Sequence, residues 1–298
     1  MKIALVIFIT LALAGCALLS LHMGVIPVPW RALLTDWQAG REHYYVLMEY
    51  RLPRLLLALF VGAALAVAGV LIQGIVRNPL ASPDILGVNH AASLAFAGGM
   101  AGLILLKMLA KTHQPMKLAL TGVALSACWA SLTDYLMLSR PQDVNNALLW
   151  LTGSLWGRDW SFVKIAIPLM ILFLPLSLSF CRDLDLLALG DARATTLGVS
   201  VPHTRFWALL LAVAMTSTGV AACGPISFIG LVVPHMMRSI TGGRHRRLLP
   251  VSALTGALLL VVADLLARII YPPLELPVGV LTAIIGAPWF VWLLVRMR

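Results

Sequence analysis

Long apolar blocks alternate with short polar loops along most of this chain. A transmembrane helix needs roughly 20 predominantly apolar residues. Seven blocks approach or reach that length, and a shorter eighth (Ala91–Leu106) has room for one crossing at most. The seven are Ile3–Val25, Leu55–Ile75, Leu118–Leu138, Val163–Cys181, Phe206–Ala222, Val251–Ile269 and Val278–Val295. The pattern predicts an all-α polytopic membrane protein.

Composition supports this prediction and excludes other classes. The 298 residues are 60% hydrophobic and only 11% charged, whereas soluble domains carry about 25% charged residues. The net charge of +10 comes from Lys and Arg scattered over short loops, where these residues orient membrane spans. It therefore does not indicate nucleic-acid binding. The four cysteines stand alone, so their spacing predicts neither a metal site nor a disulfide framework.

Two stretches interrupt the apolar pattern in different halves of the chain. Arg77–Ser93 and Cys223–Ser239 each hold prolines around an apolar-Gly-apolar core, with a histidine nearby. Interrupted apolar segments at matching places in two halves are typical of inverted repeats around a transport path. We therefore expect the helical pattern to break at both stretches.

A compact polar segment, Leu186–Val201, lies between two long apolar blocks. Gly190 and Gly198 bracket a helix-compatible stretch, as turn residues should. Its charges cannot lie in hydrocarbon without a large cost, so it belongs at the membrane surface. Such a segment resembles the coupling loop of ABC-importer permeases, which fits into a cleft on a separate ATPase subunit. An ordinary amphipathic connector would look similar.

The charged loops also define a topology. Lys and Arg favour the cytoplasm, which places there the loops around Arg77, Lys107–Lys117, Arg182–Arg193 and Arg244–Arg247, together with the C-terminus. Each interval between these loops needs two crossings, and all but the first have room for two. We expect the first interval to lack about 20 residues of a helical hairpin, with the join near Ala95–Phe96.

Six short motifs occur in the order found in one known family. They are Arg51-Leu52-Pro53-Arg54, Gly62-Ala63-Ala64-Leu65-Ala66, Asn78-Pro79-Leu80-Ala81 with Leu86-Gly87-Val88, Ala188-Leu189-Gly190-Asp191, Phe228-Ile229-Gly230-Leu231-Val232-Val233-Pro234-His235 and Glu275-Leu276-Pro277-Val278-Gly279. From about Arg51 onward the chain thus resembles the iron-chelate and vitamin B12 permeases of ABC importers. Among these it is most similar to the ferric dicitrate permeases of enteric bacteria.

The resemblance implies a type II ABC importer permease fold in the bacterial inner membrane. It implies ten spans, of which about nine are evident, and residues 1–298 as a single permease domain. The implied partners are a homologous permease subunit, favoured to be a different chain, two ATPase subunits, a periplasmic binding protein and an iron(III) chelate. The chain has no GxxxxGK[ST] phosphate loop, so ATP and Mg²⁺ are expected on the ATPase and no cofactor or metal ligand on this chain.

The resemblance also assigns three sets of site residues. ATPase coupling falls to Gly190, Asp191, Ala192, Arg193, Ala194, Leu197 and Gly198. Docking of the binding protein falls to Arg51, Arg54 and Arg268, because guanidinium groups suit bidentate pairing with carboxylates. An inner gate falls to Asn78, Pro79 and Leu80. Interfacial anchoring of Arg51 and Arg54, and a plain cap and turn after the second span, are the alternatives.

A secondary transporter driven by an ion gradient is the main competing function. Such a transporter needs acidic residues within its spans, and only Asp134 and Asp264 are candidates. We expect structural roles for both, since neither has a charged partner at helical spacing. His90 and His235 could contact an anionic chelate, but capping or core roles are favoured. An intramembrane enzyme is disfavoured because the chain has no HExxH or GxSxG motif.

Overall fold

A computed structural model gives the structure of this protein. It describes residues 2–78, 81, 102, 104–105, 108, 115–139, 148, 150–272 and 274–296. The predicted join at Ala95–Phe96 lies outside these residues, as do Pro79, Leu80 and His90.

The principal elements of the described residues are α-helices. In chain order they are α1 (Lys2–His22), α2 (Ala32–Thr35), α3 (Leu52–Val76), α4 (Pro115–Ser139), α5 (Trp160–Ser177), α6 (Cys181–Leu187), α7 (Asp191–Thr196), α8 (Val201–Cys223), α9 (Ile229–Thr241), α10 (His245–Ile269) and α11 (Val278–Arg296). A π-helix, Tyr45–Arg51, leads into α3, and a 3₁₀ turn, Leu178–Phe180, joins α5 to α6.

Five helical segments of the described part are long and apolar enough to cross a membrane. They are Ile3–His22, Tyr45–Val76, Trp160–Leu187, Val201–Cys223 and His245–Ile269. A shorter apolar helix, Val278–Trp292, follows, and α4 covers the predicted block Leu118–Leu138. The prediction of a polytopic helical membrane protein is confirmed.

The second span begins earlier than the sequence indicated. The second apolar block was predicted to begin at Leu55, but the helical segment starts at Tyr45, and Arg51 and Arg54 are only 3% and 2% exposed. Polar residues at the start of an apolar block look like loop residues. Here they lie inside the protein because they have internal partners.

Helix α3 is the centre of the bundle. It packs most extensively against α10 and also contacts α8, α9 and α5. A helix that is apolar around its whole circumference is a buried one, and nearly every residue from Val61 to Ile75 is buried. A Cβ on Gly62 would lie 2.4 Å from the Gly256 carbonyl oxygen, and one on Gly69 would lie 1.9 Å from that of Gly230. These glycines permit backbone contact between helices.

The second interrupted stretch is broken as predicted. Helix α8 ends at Cys223, residues 224–228 are non-helical, and α9 has only 13 residues. At 1.5 Å per residue α9 spans about 20 Å, less than the roughly 30 Å of a bilayer core. Of the first stretch, Arg77 ends α3 in the left-handed region, at φ 54°.

Candidate functional site

The predicted coupling segment forms a short surface helix. Gly190 and Gly198 have φ values of 104° and 86°, which glycine adopts without a Cβ penalty. Between them lies the six-residue helix α7. The ends of the predicted segment belong to neighbouring helices, with Leu186 in α6 and Val201 in α8. The predicted helix and both turns are confirmed.

Two acidic residues of α6 anchor this segment to different spanning helices. Thr204, near the start of α8, donates a hydrogen bond to Asp183 at 2.8 Å. The backbone N–H of His245, the first residue of α10, donates to Asp185 at 2.9 Å, and its imidazole Nδ1 lies 2.6 Å from the same oxygen. The ends of α8 and α10 are therefore tied to the segment that carries α7.

A third acidic residue, Asp191, begins α7 and contacts two arginines. Arg205 of α8 donates to Asp191 Oδ1 at 2.9 Å, and Nη2 of Arg77 lies 3.2 Å from the same oxygen. Arg205 is buried, whereas the Arg77 and Asp191 side chains are 36% and 43% exposed.

One side of α7 faces away from the protein. On the side of α7 that faces the protein, Ala194 is fully buried. On the other side, Arg193 and Thr195 are exposed and Leu197 is 51% exposed. Helix α7 thus presents a mixed polar and apolar surface that a second protein can contact without unfolding this one. The role in ATPase coupling itself stays a prediction.

The predicted gate follows directly on α3. Asn78 succeeds Arg77, and its carbonyl accepts a hydrogen bond from the Ala81 N–H at 3.1 Å. This single turn is what the structure describes of the gate, since its other two residues lie outside the described part. The gate also stays a prediction.

At the opposite end of the bundle, four charged or polar side chains surround Arg54. Its Nε donates to Asp264 at 2.7 Å and its Nη1 to Glu275 at 2.5 Å. Tyr50 donates to the other oxygen of Glu275 at 3.0 Å. Arg268 lies 3.1 Å from the second oxygen of Asp264. Two guanidinium groups and two carboxylates thus compensate one another between α3, α10 and the loop before α11.

The remaining bonds of the predicted docking arginines reach the end of α1. Arg268 donates to the Ser20 carbonyl at 3.1 Å and to the Ser20 hydroxyl. Arg51 donates to the carbonyl oxygens of Leu21 and Ile26. The outer ends of α1, α3 and α10 are therefore joined by arginine side chains.

These contacts weigh against a simple docking surface. Arg51, Arg54 and Arg268 are each 2–3% exposed, so a carboxylate of another protein must first displace their internal partners. Docking by these residues stays a prediction, with an internal structural role now visible beside it. The sequence identified the three arginines as site candidates but missed Tyr50 and Glu275. Glu275 could have been identified because it belongs to one of the family motifs.

The remaining candidate side chains are the acids Asp264 and Asp134 and the histidine His235. Asp264 has the structural role expected of it, but it does have a partner at helical spacing, since Arg268 follows four residues later; the sequence interpretation was wrong on that point. Asp134 is exposed on α4. His235 is partly buried and lies edge-on to Trp289, with ring centroids 5.6 Å apart.

Comparison with known proteins identifies the family. The model of the FecCD transport family matches residues 10–101 and 92–296, which together cover nearly the whole chain. This protein belongs to the FecCD transport family. The match extends through α1, α3, the coupling segment and the outer arginine cluster, which consists of Arg51, Arg54 and Arg268 with the acids Asp264 and Glu275.

Individual members of the FecCD family share both sequence and structure with this chain. The Fe(3+) dicitrate transport system permease protein FecD of Escherichia coli (strain K12) is 93% identical, over 100% of each chain. Two Bacillus subtilis proteins, the Fe(3+)-citrate import system permeases YfmE and YfmD, are 41% and 40% identical over 97% and 86% of this chain and 94% and 83% of their own. A solved metal-chelate type ABC transporter in an inward-facing conformation superposes with a TM-score of 0.87 at 30% identity, over 97% of this chain and 98% of that one.

The same comparisons bear on the missing hairpin. The alignment with the Escherichia coli protein extends over 318 positions, although this chain has 298 residues. At least 20 positions of that relative therefore have no counterpart here. The family match is also split, with its two parts overlapping at residues 92–101, where the join was predicted. The number of unmatched positions agrees with the expected shortage of about 20 residues, one span, and the join near Ala95–Phe96 stays a prediction.

Proposed function

We propose that this protein is the permease subunit of an ABC importer that moves an iron(III) chelate, ferric dicitrate, across the bacterial inner membrane. The observation that carries the proposal is the 93% identity to a ferric dicitrate permease over the full length of both chains. The chain is a transport subunit, and ATP is hydrolysed by separate ATPase subunits.

The proposed assembly contains a second, homologous permease, two ATPase subunits and a periplasmic binding protein. Two observations support a heterodimer of different permease chains. Bacillus subtilis has two distinct proteins named as Fe(3+)-citrate import permeases, and this chain is about equally similar to both. ATP and Mg²⁺ would bind to the ATPase subunits, and α7 would contact them through its exposed face.

The burial and the partners of Asp264 disfavour ion-gradient-driven transport. This carboxylate contacts two arginines and is 1% exposed. A proton or sodium carrier must exchange its ion with water, whereas this carboxylate is buried and occupied by two guanidinium groups. The described spans therefore give the alternative function little support.

Reconstitution of the complex distinguishes ATP-driven import from ion-gradient-driven transport. The permease pair, ATPase and binding protein are placed in proteoliposomes, and uptake of ⁵⁵Fe from ferric dicitrate is measured. We expect uptake that requires ATP and the ATPase, that vanadate inhibits, and that a protonophore leaves unchanged. Uptake that persists without the ATPase and collapses with the ion gradient would show that the proposed function is wrong.

The docking prediction needs a test that allows for burial. Arg51, Arg54 and Arg268 are reversed to Glu, with Arg31 and Arg41, which are exposed in the loop between α1 and α3, as matched controls. Affinity for the binding protein is measured at two salt concentrations, since exposed charges are screened over about 10 Å at 0.1 M salt. Thermal unfolding is recorded for each variant. Lost affinity at an unchanged unfolding temperature supports docking, whereas loss of both indicates the structural role.

A further inference from the structure

Asp191 connects the exposed coupling helix to the end of α3. The same carboxylate oxygen contacts Arg205 of α8 and Arg77, the residue that terminates α3. Asp183 and Asp185 bind α8 and α10 instead. The Asp191–Arg77 pair is therefore the ion pair through which the described coupling segment reaches α3.

The backbone on both sides of this pair is shaped to bring the charges together. Arg77 has φ 54°, in the left-handed region that non-glycine residues seldom adopt. The chain turns there, and the guanidinium extends towards Gly190, where a Cβ would lie 3.9 Å from Nη1 of Arg77. Gly190 itself has φ 104°. Two turns thus converge on one contact.

The position of Arg77 links the contact to the central helix of the bundle. Arg77 is the residue at which α3 terminates, and α3 packs against α10, α8, α9 and α5. Through its contact with Asp191, a displacement of α7 would act on the end of α3. Arg205 is buried and holds the carboxylate in place from the other side.

We infer that Asp191 and Arg77 are positioning residues that transmit movement of the coupling helix to the end of α3. This inference rests on the proposed function. A partly exposed ion pair of this kind contributes at most about 1 kcal/mol, so it can break and re-form during each transport cycle. Arg205 retains Asp191 when Arg77 departs.

The test uses the assembled complex in proteoliposomes with the binding protein and ferric dicitrate. The variants are Arg77→Ala, Arg77→Lys and Asp191→Asn. Arg182→Ala is the matched control, because Arg182 is an exposed arginine on the neighbouring helix α6, outside the predicted coupling residues. Three quantities are measured: ATPase retained on purification, ATP hydrolysed, and ⁵⁵Fe taken up per ATP.

We expect Arg77→Ala and Asp191→Asn to retain the ATPase and its activity while uptake per ATP falls about fivefold, the factor that corresponds to an ion pair of ~1 kcal/mol. Arg77→Lys, which keeps the charge, should restore most of the uptake. Arg182→Ala should leave uptake per ATP unchanged.

The failures are distinguishable. Unchanged uptake per ATP in Arg77→Ala overturns the inference while leaving the proposed function intact. A lower unfolding temperature together with lost uptake that Arg77→Lys does not restore also overturns it, because the role would then be structural. Uptake that no longer requires the ATPase in the unaltered complex would contradict the proposed function itself.

Discussion

Replacing Asp264 tests whether the outer arginine cluster stabilises the fold. Asp264 is 1% exposed, and its two carboxylate oxygens face Arg54 at 2.7 Å and Arg268 at 3.1 Å. Asp264→Ala leaves two buried guanidinium groups with one remaining acid, Glu275. Removing one partner of a buried ion pair costs about 3–5 kcal/mol, because the remaining charge stays desolvated.

The assay is thermal unfolding of the purified protein in detergent. At roughly 2 °C per kcal/mol or more, Asp264→Ala should lower the midpoint by at least about 6 °C. Glu49→Gln is the matched control, since Glu49 is exposed on the π-helix beside Tyr50. The control should stay within about 0.5 kcal/mol of the parent.

A double variant isolates the interaction from general damage. Asp264→Ala with Arg268→Ala removes one charge of each sign, so it should cost less than the sum of the two single changes, by about 0.5–3 kcal/mol. A midpoint of Asp264→Ala within about 2 °C of the parent, a shift of no more than ~1 kcal/mol, would refute the reasoning. It would mean that the arginines are hydrated or paired elsewhere.

Three further outcomes are expected. Gly69→Ala should destabilise the protein by about 1–3 kcal/mol, as overpacking does, because its Cβ would lie 1.9 Å from the Gly230 carbonyl oxygen. Gly15→Ala is the control, since a Cβ there has nothing within 4 Å. Equal thermal unfolding midpoints of the two variants would contradict the packing of α3 against α9. Hydrogen bonds from His43 and Thr35 hold the pKa of Asp36 below its ordinary value. These bonds therefore stabilise the loop fully at any pH above the ordinary pKa of aspartate. The stabilisation is lost as the pH falls through the lowered pKa of Asp36. Carbon-13 NMR of the Asp36 carboxylate should show a higher pKa in His43→Gln, and no change would contradict the pairing. Reporter fusions in the basic loop after the shortened segment and at the C-terminus should both lie in the cytoplasm, and an external signal from either would contradict the topology.

The sequence alone determined those features that depend on composition and on neighbours along the chain. The spans follow from the length of apolar runs, the helix α7 from Gly190 and Gly198, and the break after Cys223 from its prolines and glycines. The shortage of about 20 residues also needed no coordinates, because charge parity and span length are counted along the chain. These signals are local, and local sequence expresses them directly.

The tertiary structure alone decided which side chains meet. Arg54 pairs with Asp264 and Glu275, which are 210 and 221 residues away, and nothing in a sequence pattern distinguishes an arginine facing water from one facing such a partner. Gly69 was recognisable as a small residue, but its contact with Gly230 depends on how α3 and α9 cross. Asp191 was likewise visible, whereas its contact with Arg77 exists only because two distant turns converge. Burial and pairing are properties of the packed bundle, since the partner that compensates a charge is chosen by the geometry of helix contacts.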